Sequence, residues 1–179
     1  MAEAFSNSLT RAAGIVTTYT GSTVAAASTV ITVTANTGIG VSDLIDNQNF
    51  IAGTKVAQID GTTIYADRAS TNQASATSQV IRFLGPTTAY TSPSATKSIL
   101  IGGTFSNNTN NSVNLTVEQY DQSGSVGVAI ASKIPVPAGS SFVISDTGKT
   151  LLESLDEVRV YCDTANGVDV SLSILTGVN

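Results

Sequence analysis

Along much of the chain, aliphatic residues alternate with hydroxyl-bearing ones at a period of two, the pattern of strands that bury one face. Residues 15–20 (Ile-Val-Thr-Thr-Tyr-Thr) and 29–35 (Thr-Val-Ile-Thr-Val-Thr-Ala) are two such runs. A turn at residues 36–40 and a single helical turn at 41–45 are expected next, because neither stretch is long enough for an independent helix. Residues 54–59 and 62–66 then read as a hairpin, with Asp60-Gly61 as a type I′ turn signal. The run 78–84 alternates again and stops at Gly85-Pro86, where the missing proline donor ends pairing.

Beyond Pro86 the pattern predicts a second group of strands at 98–105, 112–120, 126–133, 141–145, 150–152, 158–162 and 168–175. Turn-forming residues at 107–111, 122–124, 135–139, 146–148 and 163–167 separate them. Residues 149–161 contain good helix formers, but Val158, Val160 and Cys162 alternate with Arg159 and Tyr161, so 153–156 reads as a turn between strands. Short strands at such regular spacing predict an all-β protein. Its parts are a small β-barrel-like or meander module and an antiparallel β-sandwich, jelly-roll or Ig-like.

The expected organisation is an N-terminal arm and strand over 1–20, a small β module over 21–86, a linker over 87–97 rich in proline and hydroxyls, and the sandwich over 98–179. Thr17-Thr18-Tyr19-Thr20-Gly21-Ser22 echoes Thr88-Ala89-Tyr90-Thr91-Ser92-Pro93. The echo suggests that 21–86 is an insertion with adjacent ends, in which case residues 1–20 would join the sandwich.

Composition narrows the chemistry. The 179 residues include 41% hydrophobic but only 12% charged, with one Cys and no His. Ser and Thr make up roughly a quarter of the chain, a blend that favours strands. A Ser-His-Asp relay or a structural zinc site has no material, an intrachain disulfide is excluded, and no cofactor is expected. The formal charge of -5, with its few cations dispersed as Arg11, Lys55, Arg68, Arg82, Lys97, Lys133, Lys149 and Arg159, argues against nucleic acid as a partner. No apolar stretch suits a membrane span and the N-terminus has no secretory pattern, so the expectation is a protein made in a cytoplasm with no membrane partner. Glycosylation-like triplets at Asn107, Asn110 and Asn114 then read as turn and strand sequence.

Asp43, Asp46, Asn47 and Asn49 lie close together, as do Asp163, Asn166 and Asp169, but neither spacing is that of an EF-hand, and solvated turns account for both. Glu153, Asp156 and Glu157 fall on an expected exposed turn, where acid/base work has no buried cleft. The glycine pairs Gly38/Gly40 and Gly102/Gly103 lack the partners of a phosphate loop. Cys162, in phase with Val158 and Val160, reads as a buried small hydrophobe. The five tyrosines are scattered, and most read as strand packing residues with a wet hydroxyl. No catalytic, cofactor or metal residues are assigned.

The N-terminal Met-Ala-Glu-Ala-Phe-Ser-Asn-Ser-Leu-Thr-Arg, the segment Ile101-Gly-Gly-Thr-Phe-Ser-Asn-Asn-Thr109, Pro135-Val-Pro-Ala-Gly-Ser-Ser141 and the ending Asp163-Thr-Ala-Asn-Gly-Val-Asp-Val-Ser-Leu-Ser-Ile-Leu175 resemble small virion structural proteins of tailed bacteriophages, especially of marine cyanobacterial phages. Residues 53–72 are similar to small β modules of phage structural proteins. The resemblance touches most of the chain and rests on structural motifs. It implies a non-enzymatic virion component, made in the host cytoplasm, that decorates the capsid or sits in the neck or tail. Its implied partners are major capsid or neck and tail subunits, and further copies of itself in a symmetric array. Phe5, Leu9 and Arg11, on the N-terminal arm, are the candidate assembly contacts. A carbohydrate- or receptor-binding module using Tyr90 or Tyr120 is the other reading, and a secreted adhesin or surface-layer subunit a third.

Overall fold

The computed structural model describes residues 3–144 and 149–178, and among these there is no helix. Its strands run β1 (Ala4–Ala13), β2 (Ile15–Val24), β3 (Val30–Thr32), β4 (Leu44–Asp46), β5 (Val56–Asp60), β6 (Thr63–Ala66) and β7 (Ala76–Gly85). They continue as β8 (Thr87–Thr91), β9 (Lys97–Asn107), β10 (Val113–Asp121), β11 (Val126–Val136), β12 (Ser141–Ile144), β13 (Thr150–Leu152), β14 (Glu157–Cys162) and β15 (Val168–Val178). All strand pairs between these elements are antiparallel. The chain folds as two compact units, one made of residues 1–14 with 87–179 and the other of Ile15–Pro86.

The first unit is a sandwich. One sheet has the order β1-β15-β9-β12, with β13 also pairing β9, and the other has the order β11-β10-β14-β8. Period-two alternation delivers the inner faces: Val168, Val170, Leu172 and Ile174 from β15 meet Leu115 and Val117 from β10 and Val158, Val160 and Cys162 from β14. Each fully buried aliphatic side chain here stabilises the fold by about 1.5–3 kcal/mol. Phe105 of β9 packs on Phe142 of β12 at 6.0 Å between ring centroids, which holds the sheet's outer strand in place.

The second unit is a small closed barrel. Its sheet runs β4-β7-β2-β3-β6-β5, and the remaining side of β4 meets the residues that lead into β5. Ser42 N donates to Val56 O at 2.8 Å, Val56 N to Asp43 O at 2.9 Å and Ile45 N to Thr54 O at 2.9 Å, closing the ring of strands and leaving no long open edge. Val24, Ile31, Ile45, Val56, Ile64, Ile81 and Phe83 fill the interior. Tyr19 meets Phe83 edge to face at 6.4 Å while its hydroxyl donates to Thr37 O at 2.7 Å. Ile15 pairs with Gly85, so the strands by which the chain enters and leaves the barrel are neighbours.

Several expectations need correction. Residues 4–13, the expected arm, are a strand laddered along β15 in the sandwich, but residues 15–20 belong to the barrel, so the first division falls at Gly14/Ile15 instead of 20/21. Much of the expected linker 87–97 is strand: β8 pairs with residues 157–160 of β14 and buries Ala89, and its flanking prolines mask a five-residue alternation. Residues 41–45 form no helical turn and instead lead into β4. The hairpin turn sits one residue later than expected, because Asp60 pairs with Thr63. Gly61 takes φ +56° while Thr62 does not cross to positive φ, the sign pattern of a II′ turn. Pro135 lies inside β11, which tolerates it as an outer strand of its sheet. The expected turn at 146–148, and Ser145 at the end of the expected strand before it, lie outside the described residues.

Candidate assembly surface

The expected contact residues share the outward face of β1. Ser6, Ser8 and Thr10 alternate with them, and the Ser8 hydroxyl donates to Ala89 O on β8 at 2.7 Å. Phe5 and Leu9 are therefore left 77% and 74% exposed. Register shows what surrounds them. Phe5 stands opposite Leu175, Leu175 opposite Ile99 and Ile99 opposite Leu151, giving an apolar row across four strands. Leu9, Ser171, Thr104 and Val143 form a second row, apolar at its ends and hydroxylated in the middle. Cross-strand neighbours on one face touch, so each row is a continuous stripe.

Arg11 lies at the end of this face and lines a shallow groove with Leu9, Thr104, Ser106, Asp169 and Ser171. A bulge between Thr10 and Ala13 sets its place, with Ala12 at φ +56° and its N–H donating to Asp169 Oδ1 at 2.8 Å. The structure thus brings Phe5, Leu9 and Arg11 together on one face. The contributions of Ile99, Leu151, Val143 and Leu175 to that face were missed, because alternation alone cannot say which apolar set of a strand points inward.

The β11-β10-β14-β8 sheet carries a different arrangement on the face away from the core. Glu118 and Tyr161 are 2% and 0% exposed there, diagonal neighbours on β10 and β14, and the Tyr161 hydroxyl donates to Glu118 Oε1 at 3.1 Å. Burial pushes the Tyr161 hydroxyl's pKa up, and the charge and hydrogen bond of Glu118 add to the rise against a smaller opposing effect of Arg159. Arg159 lies 3.4 Å above the Tyr120 ring centroid and its Nε donates to Glu157 Oε2 at 2.7 Å. Burial opposes the guanidinium charge, but Glu157 outweighs it and holds the Arg159 pKa above its usual value. The cluster is closed in: a Cβ on Gly127 would overlap the Glu118 carboxylate. The expectation of a wet hydroxyl fails at Tyr161.

The remaining polar candidates fasten loops. Asp46 pairs with Arg82, and Asn47 Nδ2 donates to Val80 O at 3.0 Å. Asp43 is buried, which raises its pKa, although the Gly40 N–H donating to Oδ2 at 2.7 Å counters the rise. Asp163 accepts from Asn114 N at 2.9 Å and Asn114 Nδ2 at 2.8 Å. Asp156 is not exposed as expected: it is buried and accepts from Glu153 N at 2.9 Å and Gln122 N at 3.2 Å, tying two turns together. Among the described residues no group of acidic or Cys side chains is arranged to hold a metal ion. Cys162 is fully buried in the sandwich core. Neither expected glycan tyrosine is an open platform, since the Tyr90 hydroxyl lies 2.9 Å from Ser98 Oγ and Arg159 covers the Tyr120 ring. Among the described residues no helix is long and apolar enough to cross a membrane.

No protein-family model, curated protein or solved structure matches this chain.

Proposed function

We propose that this protein is a non-enzymatic structural component of a tailed-phage virion, added in many copies as capsid decoration or as a neck or tail subunit. The observation that carries the reading is the outward face of the β1-β15-β9-β12 sheet. There Phe5, Leu175, Ile99 and Leu151 form an apolar stripe beside the row whose ends are Leu9 and Val143. Contiguous exposed apolar patches mark interaction sites, and a rigid sandwich presents such a patch without an ordering cost. The resemblance of the chain's N-terminus, its Pro-Val-Pro-Ala-Gly segment and its final strand to phage structural proteins supplies the kind of assembly. In a symmetric array one modest contact recurs, and avidity makes up for its individual weakness.

Quantitative peptide mass spectrometry on gradient-purified particles, counting this chain against the major shell protein, tests the reading. Stoichiometric amounts are expected for a decoration protein and a few copies per particle for a neck or tail protein. Absence from the particle overturns the proposal.

A further inference from the structure

β1 is the outer strand of its sheet: β15 ladders along one side, and among the described residues no strand occupies the other. Nine of its ten residues are exposed or half-buried. Edge strands are normally blunted by lysines, prolines, short length or a bulge. β1 has ten residues, no proline and a single charge at Arg11, and its bulge comes only after Thr10. It is built as an edge that can accept another strand.

The residues on its outward face identify which strand. With Glu3 just ahead of it, this face reads Glu3, Phe5, Asn7, Leu9, Arg11: acid, apolar, amide, apolar, base. Read in the opposite direction, the series is its own complement. We propose that β1 pairs antiparallel with β1 of a second copy of this chain about a two-fold axis through Asn7. In that register Phe5 stands opposite the second copy's Leu9 and Glu3 opposite Arg11, each twice by symmetry, and Asn7 meets Asn7 once, on the axis.

Other registers lose this match. A shift of two residues sets Phe5 against Asn7 or against Arg11. A shift of one turns the two copies' apolar rows to opposite faces. The chosen register carries the Leu151, Ile99, Leu175, Phe5 row straight into the second copy's Leu9, Ser171, Thr104, Val143 row, making one stripe across a doubled sheet. The inward hydroxyl of Ser8 keeps its bond to Ala89 O and does not compete. This pairing goes beyond the virion reading and does not depend on it.

Sedimentation of the purified full chain across micromolar concentrations tests the pairing without any particle, so its result is separate from that of the mass spectrometry. A concentration-dependent dimer is expected. Arg11→Glu and Glu3→Arg each place like charges opposite one another twice per dimer and should raise the dimer Kd by about tenfold. The double variant Glu3→Arg/Arg11→Glu restores opposite charges and should return Kd to within about threefold of the parent. Directly opposed Cα atoms lie about 4.5–5.5 Å apart, within disulfide reach, so oxidised Asn7→Cys should give a covalent dimer. Ser171→Cys, on the neighbouring strand, should not. Circular dichroism confirms that each variant is folded. A chain monomeric throughout, a dimer indifferent to the single reversals, or one that the double reversal does not restore would overturn the proposal.

Discussion

At the scale of single residues, the Tyr161–Glu118 contact couples a buried carboxylate to a buried phenol on the face of a sheet that alternation assigns to solvent. Tyr161→Phe removes that donor and should cost about 1–2 kcal/mol at neutral pH by urea denaturation, the usual range for a buried polar group losing a partner. The pH dependence has a definite sign. The folded-state pKa of Tyr161 is raised, so its contribution is fully present below the ordinary tyrosine value of about 10 and is lost as pH rises above it. The parent should therefore lose stability faster than Tyr161→Phe in strongly alkaline buffer, and equal slopes would show that Tyr161 is not buried in this way. Nothing in the local sequence announced this pair. Tyr161 alternates correctly with Val160 and Cys162, and only the fold shows that the second face of β14 is covered as well as the first. Cys162 by contrast was legible, because its phase with Val158 and Val160 decides its burial without reference to any distant strand.

At the scale of elements, long strands with two-residue alternation could be read from sequence, and short or flanked ones could not. β9, β10, β14 and β15 fall within a few residues of expectation, since each carries an alternating apolar set long enough to show its period. β4 escaped because three residues between turns carry no period, and β8 because prolines at positions 86 and 93 frame it. β1 read as an arm because its inward positions are serines and threonine while its apolar residues face out, the reverse of an ordinary surface strand. The candidate contacts Phe5, Leu9 and Arg11 were thus visible as residues, while the sheet face that unites them with Ile99 and Leu151 needed the register. The passage from β1 to β2 turns on Gly14. It adopts φ +124°, and a Cβ there would overlap the carbonyl oxygen of Thr164. Gly14→Ala should destabilise the sandwich by about 2–3 kcal/mol through backbone strain and overlap, measured by chemical denaturation. A loss below about 0.5 kcal/mol, the level of an ordinary surface substitution, would show that the close approach is absent.

For the whole molecule, the place of residues 15–86 in the chain, between the two segments of the sandwich, bears on independence. The barrel closes its own ring of strands, holds its own core and is entered and left by adjacent strands, so residues 15–86 alone should fold. Dispersed amide resonances and a cooperative melt of that fragment are the expected result, and a disordered spectrum would show that the barrel depends on the sandwich. In the sandwich, Gly14 N reaches Thr87 Oγ1 at 3.2 Å, so the two points where the barrel's chain departs and returns are close together.

The same connectivity decides how the molecule bears a mechanical load. Ala4 pairs with Thr176, so β1 begins and β15 finishes at the same end of their ladder. Tension between the ends peels that ladder open one rung at a time and does not shear all its rungs together, because antiparallel hydrogen bonds lie across the strands. While those rungs hold, the barrel carries no tension. Once β1 has peeled to Gly14 the pull arrives at Ile15 and Gly85, again a pair at one end of a ladder, and the barrel in turn opens like a zip. A load applied at Ala4 and Thr176 therefore meets ladder ends, where rungs give one at a time, whereas a load spread across the sheet faces opens neither seam.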